Sequence, residues 1–85
     1  MTTLFAGTIN ATDDEWQVLS TATEVTFTEG STYTIQIIRQ AYIREGNTAD
    51  GGFLINDNRP FQYTAGSDDL YIKIPMDSVS VVIND

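Results

Sequence analysis

Apolar and polar side chains alternate along most of the chain in short runs, the spacing of half-buried β-strands. Two clear runs occupy residues 61–64 and 70–74 on either side of a polar turn, and they predict a β-hairpin. Residues 24–28 and 32–39 alternate in the same way around Gly30, and they predict a second hairpin. Further strands are predicted over 16–20, 41–44, 53–56 and 79–83.

The alternation slips by one position at Ile37 and Ile38, just before the run over 41–44. A β-bulge would produce such a slip, and so would a strand that leaves one sheet for another. No window of about ten residues shows the 3.6-residue period of an amphipathic helix. We therefore expect essentially no helix.

About seven or eight short strands, separated by turns rich in Gly, Asn, Asp and Pro, predict an all-β fold. The expected architecture is a small antiparallel β-sandwich with a jelly-roll-like arrangement. Residues 1–14 have few apolar side chains and are expected to form an N-terminal arm or an edge strand, with the arm favoured. Residues 15–85 are expected to form the single β-sandwich domain, because 85 residues supply one modest core.

The chain is strongly acidic, with 12 Asp and Glu residues against 4 Lys and Arg and a net charge of −8. This charge repels nucleic-acid phosphates and anionic lipid surfaces, so neither nucleic acid nor a membrane is expected as a partner. A basic protein surface would be attracted. The first residues lack the basic and long apolar segments of a signal peptide, which predicts a soluble protein made in the cytoplasm.

The residue inventory argues against catalysis. With no His and no Cys, the chain has neither a Ser-His-Asp nor a Cys-His arrangement, nor nitrogen or sulfur ligands for zinc. Most Asp residues fall in predicted turns, where Asp commonly hydrogen-bonds to nearby backbone. Oxygens around 56–58 and 67–69 would supply some ligands of a calcium ion, but their spacing matches no EF-hand loop. We therefore expect no enzyme and no cofactor.

Aromatic side chains are the best candidates for contact with a partner, as interface anchors or as a platform for stacking on sugars. Most are expected in the core, whereas Trp16, Tyr42 and Tyr71 are expected at the surface. Tyr71 alternates with the apolar positions of its strand, and Tyr42 lies where the pattern slips. Phe5 in the N-terminal arm and Lys73 beside Tyr71 complete the predicted partner-contact set.

Several short motifs lie within residues 16–83: Tyr-Thr-Ile-Gln-Ile at 33–37, Gly-Phe-Leu-Ile at 52–55, Arg-Pro-Phe-Gln-Tyr at 59–63 and Leu-Tyr-Ile-Lys at 70–73. In a short, Thr-rich, acidic chain without Cys, they resemble small β-sandwich structural proteins of tailed bacteriophages. The resemblance implies a virion component: a capsid decoration or head-fibre protein, commonly a trimer, or a module of a tail or baseplate fibre. It implies no catalytic residue.

The expected function is that of a non-enzymatic phage virion structural protein, foremost a capsid decoration or head-fibre subunit. Such a subunit would form a homo-oligomer, with a trimer favoured, and would bind the major capsid protein or another protein of the assembled shell. The alternative is a carbohydrate-binding or tail-fibre module for host-surface recognition, with Trp16 or Tyr42 stacked on a glycan. The expected location is the virion, after synthesis in the host cytoplasm.

Overall fold

The computed structural model describes residues 2–11, 16–46, 53–56 and 58–85. Within these ranges the chain forms eight β-strands and one five-residue helix. The elements are β1 (Thr3–Asn10), β2 (Gln17–Val18), α1 (Leu19–Thr23), β3 (Thr32–Ile38), β4 (Ala41–Glu45), β5 (Phe53–Ile55), β6 (Phe61–Thr64), β7 (Leu70–Lys73) and β8 (Ser78–Asn84).

The strands form two four-stranded antiparallel sheets. Sheet 1 has the order β1-β8-β3-β6, and sheet 2 has the order β2-β7-β4-β5. Strand β1 therefore lies beside β8, β2 beside β7, β3 beside β6 and β4 beside β5, as in a long two-stranded ribbon wrapped into two sheets. This is the order of a jelly roll. The predicted all-β sandwich is confirmed.

A single core fills the space between the sheets, and both sheets contribute to it. In β3 the side chains of Tyr33, Ile35 and Ile37 are buried, whereas the intervening residues face outward. Ile72 from sheet 2 and Val81 from sheet 1 are also completely buried. Each fully buried aliphatic side chain contributes about 1.5–3 kcal/mol, so this layer supplies most of the hydrophobic stabilisation.

The predicted hairpin over 61–74 is wrong, because β6 and β7 belong to different sheets. Strand β6 pairs with β3, and β7 pairs with β2 and β4. The buried faces were predicted correctly, since Tyr63, Leu70 and Ile72 all point into the core. Alternation identifies the buried face of a strand and carries no information about its neighbour.

The predicted strand over 24–28, and with it the second hairpin, is also wrong. Glu24 caps α1 in the left-handed region at φ 60°, and residues 24–28 continue as irregular backbone. Val25 is nevertheless buried, and the ring of Phe27 packs edge-on against Tyr33 with 4.9 Å between centroids. The backbone N–H of Thr28 donates to the Tyr33 hydroxyl at 2.7 Å, so side-chain contacts replace the expected ladder.

The predicted strand over 16–20 is shorter than expected, because the chain turns into α1 at Leu19. The Thr23 hydroxyl donates to the Leu19 carbonyl at 2.8 Å, across the four-residue spacing of one helical turn. Leu19 is buried, and Ala22 packs against the core three residues later, as expected for neighbours on one helix face. A helix of five residues leaves the expectation of essentially no helix confirmed.

The slip at Ile37 and Ile38 marks the place where the chain changes sheets. Strand β3 of sheet 1 ends at Ile38, and β4 of sheet 2 begins at Ala41. Between them, Arg39 has a φ of 95°, and its backbone N–H donates to the Asn58 side-chain oxygen at 2.9 Å. Of the two predicted explanations, the change of sheet is confirmed.

The N-terminal segment forms a strand rather than the favoured arm. Strand β1 lies at the edge of sheet 1 and pairs along its length with β8. Ile9 is buried and Phe5 packs against the core, so alternate side chains anchor the segment. At its start, the Thr2 backbone N–H donates to the Asp85 carboxylate at 2.6 Å.

Candidate functional site

The outward surface of sheet 2 concentrates aromatic and cationic side chains. Residues directly opposite one another in an antiparallel pair lie on the same side of the sheet. Tyr42 lies opposite Lys73 and Leu54, and Arg44 lies opposite Tyr71. Trp16, just before β2, reaches the same surface by packing on Arg44. We call this surface the contact face; its residues are Trp16, Tyr42, Arg44, Leu54, Tyr71 and Lys73.

The centre of the contact face is a stack of a guanidinium group on aromatic rings. The Arg44 guanidinium carbon lies 4.1 Å from the centroid of the Trp16 ring and 5.8 Å from that of Tyr71. Cation–π contacts of this kind are worth about 0.5–2 kcal/mol, depending on exposure. The stack orders the Arg44 side chain and holds its positive charge against the sheet.

Accessible apolar area lies beside this stack. Tyr42 is 38% exposed and Leu54 is 43% exposed, and Phe53, at the edge of the same sheet, is 74% exposed. Lys73, opposite Tyr42, is half-buried. Exposed apolar groups and the Lys73 cation thus lie on one surface.

The structure brings together four of the five predicted partner-contact residues: Trp16, Tyr42, Tyr71 and Lys73. The fifth, Phe5, lies in sheet 1, where its ring packs over Gly7 and against the core. A Cβ on Gly7 would lie 3.2 Å from the Phe5 ring, which shows how closely the ring covers the strand. That the other four residues contact a partner stays a prediction.

Two members of the contact face were missing from the predicted set, namely Arg44 and Leu54. The place of Arg44 on this surface could have been predicted from the sequence, because Arg44 follows Tyr42 by two residues and so lies on the same side of the strand. No sequence pattern indicated that Leu54 would lie on this surface. Its position depends on the pairing of β5 with β4, which the pattern of a three-residue strand does not determine.

A second surface feature is an acidic groove at one end of the sandwich. It has a volume of about 520 Å³ and lies between the residues that follow α1 and the turn that precedes β7. Carboxylates and two aromatic rings line it. We define the acidic groove by Glu24, Glu29, Asp68, Asp69, Phe27 and Tyr63.

The electrostatics of Tyr63 agree with this concentration of negative charge. Burial raises the pKa of the Tyr63 hydroxyl above its usual value, and the nearby Glu45, Asp69 and Asp68 carboxylates raise it further. A hydrogen bond with the Gly66 backbone acts in the opposite direction. The phenol therefore holds its proton more tightly than an exposed tyrosine does, because an anion there would face several carboxylates.

The acidic groove does not have the geometry of a metal site. Among the described residues, no group of three or more acidic side chains is placed to hold a metal ion, whereas calcium takes six to eight oxygen ligands. Asp57, in the other turn considered for calcium, lies outside the described residues. The groove instead combines four carboxylates with the rings of Phe27 and Tyr63 in its lining.

No helix in the described part of the chain has the length and hydropathy needed to span a membrane. The contact face and the acidic groove both include aromatic rings; the contact face has two cationic side chains, Arg44 and Lys73, whereas the acidic groove has four carboxylates. Comparison with protein-family models, with curated proteins and with solved structures finds no match to this chain.

Proposed function

We propose that this protein is a non-enzymatic structural component of a tailed-phage virion. It acts as a capsid decoration or head-fibre subunit that associates with its own copies and binds the assembled shell. The contact face carries this proposal, because it gathers aromatic side chains and two of the four Lys and Arg residues on one outward surface of an acidic chain. Aromatic residues and Arg are enriched at protein interfaces and at their energetic hot spots.

Two further observations support the proposal. The jelly-roll strand order is an architecture that viral capsid proteins use, although lectin domains and cupins use it as well. The strand motifs of the chain resemble those of small phage structural proteins. In this proposal the protein is made in the host cytoplasm, works on the virion, and has the major capsid protein or another shell protein as its partner.

Co-sedimentation tests the proposal directly. Labelled protein is mixed with capsids of the encoding virus assembled without it, and pelleted capsids are assayed for bound label. We expect saturable binding that excess unlabelled protein displaces. An absence of pelleted protein at micromolar concentration, or binding that does not saturate and is not displaced, would contradict a role on the shell.

A carbohydrate-binding module of a tail or baseplate fibre is the second candidate, and the exposure of Tyr42 favours it. An exposed tyrosine beside the apolar Leu54 offers a ring face for stacking on a sugar. Trp16 is less suitable, since Arg44 occupies one side of its ring. A glycan array would give hits that the Tyr42→Ala variant loses, and an array without hits would remove this candidate.

A further inference from the structure

Among the strands of the described residues, β1 is the only long strand at a sheet edge. The edges are formed by β1 and β6 in sheet 1 and by β2 and β5 in sheet 2. The other three edge strands have two to four residues, whereas β1 has eight. Proteins commonly protect sheet edges by keeping edge strands short or by placing charges or proline on them. Residues 2–11 include no charged residue and no proline, so β1 has none of these protections.

Two hydrogen bonds show which backbone groups of β1 point away from β8. The Ala11 N–H donates to the Asp77 carbonyl at 2.9 Å, which continues the regular pairing of residues 5–10 with β8. Successive residues of an antiparallel strand direct their N–H and C=O groups to opposite sides, so the groups of residues 6, 8 and 10 point to the open edge. The Gln17 side chain agrees with this, because it donates to the Asn10 carbonyl at 2.9 Å from that side.

Ala6 and Thr8 lie at the middle of this open edge. Both residues are exposed, and no described strand pairs with β1 on that side. Each residue has one backbone donor and one backbone acceptor. A row of such groups is a template for a further β-strand, so the chemistry of this edge selects an extended backbone as its partner.

A second copy of β1 fits this edge. Opposite residues of an antiparallel pair lie on the same side of the sheet, so a two-fold axis at Gly7 would place Ala6 of one copy opposite Thr8 of the other. The two residues would exchange their backbone hydrogen bonds on both sides of the axis, about four bonds in all. The same register would place the half-buried Phe5 opposite the buried Ile9 of the second copy, so that core-side residues meet core-side residues.

We propose that two copies of the chain pair through β1, in antiparallel orientation around a two-fold axis at Gly7. The two copies of sheet 1 then form one continuous sheet. This inference rests on the proposed function, in which copies of the chain associate, and identifies the contact between them. The contact face lies on sheet 2 and stays available to the shell. A two-fold contact gives a dimer, in place of the trimer favoured from the sequence.

The absence of charge on β1 gives this contact a characteristic response to salt. Two chains with a net charge of −8 each repel one another, and residues 2–11 add no charged side chain to the contact. Because salt screens the repulsion, we expect the dimer to be as tight or tighter when sodium chloride rises from about 0.05 to 0.5 M. A dimer that dissociates over this range would depend on charge pairs and would contradict the β1 contact.

Amide hydrogen exchange, followed by NMR over a series of protein concentrations, tests the contact residue by residue. The Gly7 amide points to β8 and should be protected at every concentration. The Ala6 and Thr8 amides should exchange rapidly in the monomer and become protected as the dimer forms, because the second copy accepts their hydrogen bonds. Rapid exchange of both amides in a sample that is mainly dimeric would show that the copies meet elsewhere.

The variant Thr8→Pro removes a donor of the contact and leaves the ladder between β1 and β8 intact. Proline has no N–H and is tolerated on the open side of an edge strand. The two-fold axis doubles the loss to two hydrogen bonds, so self-association should weaken by about tenfold or more. Native mass spectrometry at matched concentrations measures the dimer. A variant that dimerises as tightly as the wild type would contradict the contact.

The matched control is Thr8→Val, which keeps the backbone N–H and the β-branched shape. It should dimerise like the wild type, whereas an equal loss in both variants would assign the effect to the Thr8 side chain and overturn the backbone contact. Circular dichroism and urea denaturation check that each variant is folded. If Thr8→Pro does not fold, Ala6→Lys takes its place, because lysine on an edge strand opposes pairing, and Ala6→Gln is its neutral control.

The outcomes distinguish this inference from the proposed function. A wild-type chain that stays monomeric, or one that forms a trimer, overturns the two-fold β1 contact. Capsid binding by such a chain would leave the role on the shell standing. Conversely, a dimer that Thr8→Pro dissociates, in a protein that ignores capsids, keeps the β1 contact and removes the role on the shell.

Discussion

The outward surfaces of the two sheets differ sharply, although both sheets obey the same alternation and share one core. None of the residues in β1, β3, β6 and β8 is charged. The outward side of sheet 1 is mainly Thr, Ser, Asn and Gln. Sheet 2 has Arg44, Glu45 and Lys73 within its strands, and its outward side is the contact face. Part of the aromatic and cationic set on sheet 2 makes contacts within the subunit, because Arg44 lies on the Trp16 ring and near that of Tyr71.

Sheet 1 forms polar contacts within its own subunit. The Thr32 and Thr64 hydroxyls share a hydrogen bond of 2.8 Å, and the Gln36 amide donates to the Asn58 carbonyl at 2.7 Å. The contact face instead leaves Tyr42 and Leu54 exposed. Sheet 1 leaves one large apolar side chain of its strands similarly exposed, Leu4 at 38%. The difference teaches that sheet 1 satisfies its outward polar groups within the subunit, whereas sheet 2 exposes more apolar area.

Truncating the core beneath each face should have the largest effect, and it should be similar for both sheets. Ile35 in sheet 1 and Ile72 in sheet 2 are both completely buried. Each change to Ala removes buried methyl groups and leaves a cavity, so each should lower the free energy of unfolding by about 2–5 kcal/mol. Urea denaturation measures both variants. A small loss for one and a large loss for the other would show that the sheets are not equal partners in the core.

Removing Trp16 should have a smaller effect, confined to the sheet 2 side. Trp16→Ala deletes the ring that stacks on Arg44 and exposes part of the sheet beneath it. We expect a loss of about 1–3 kcal/mol in the free energy of unfolding, with Trp16→Phe retaining much of it because a ring face remains. Equal stability of all three proteins in urea would show that the stack adds nothing to the isolated subunit.

The features predicted correctly from sequence are those that a local period determines. The buried positions of β3 and β7 follow from alternation alone, as does the placement of Tyr71 on the outward side of its strand. Tyr42 was predicted at the surface because it lies where the alternation slips, and it is exposed. With β7 and β4 adjacent, these outward side chains share one surface. Four of the five predicted contact residues therefore meet, although the sequence did not specify that they would.

The features missed depend on contacts between distant segments. The turn between β6 and β7 is long enough to form a hairpin within one sheet or to cross to the other sheet. The residues of the turn do not determine which of these two connections forms. The pairing of β6 with β3 determines that the chain crosses to the other sheet. Two backbone hydrogen bonds extend this pairing beyond β6: Ala65 N–H donates to the Ser31 carbonyl, and Gly30 N–H donates to the Ala65 carbonyl. The acidic groove follows from the same crossing, because it places residues 24–29 beside Asp68.

The smallest effect should come from the hydroxyl pair on the outward side of sheet 1. Thr32 and Thr64 lie directly opposite each other, but both are exposed, so water competes for their hydrogen bond. Changing either to Val keeps the β-branched shape that strands favour. A double-mutant cycle in urea should therefore give a coupling energy of about 0.2–1 kcal/mol. A larger coupling would mean that sheet 1, like the contact face, depends on a specific side-chain pair, and the contrast between the two faces would weaken.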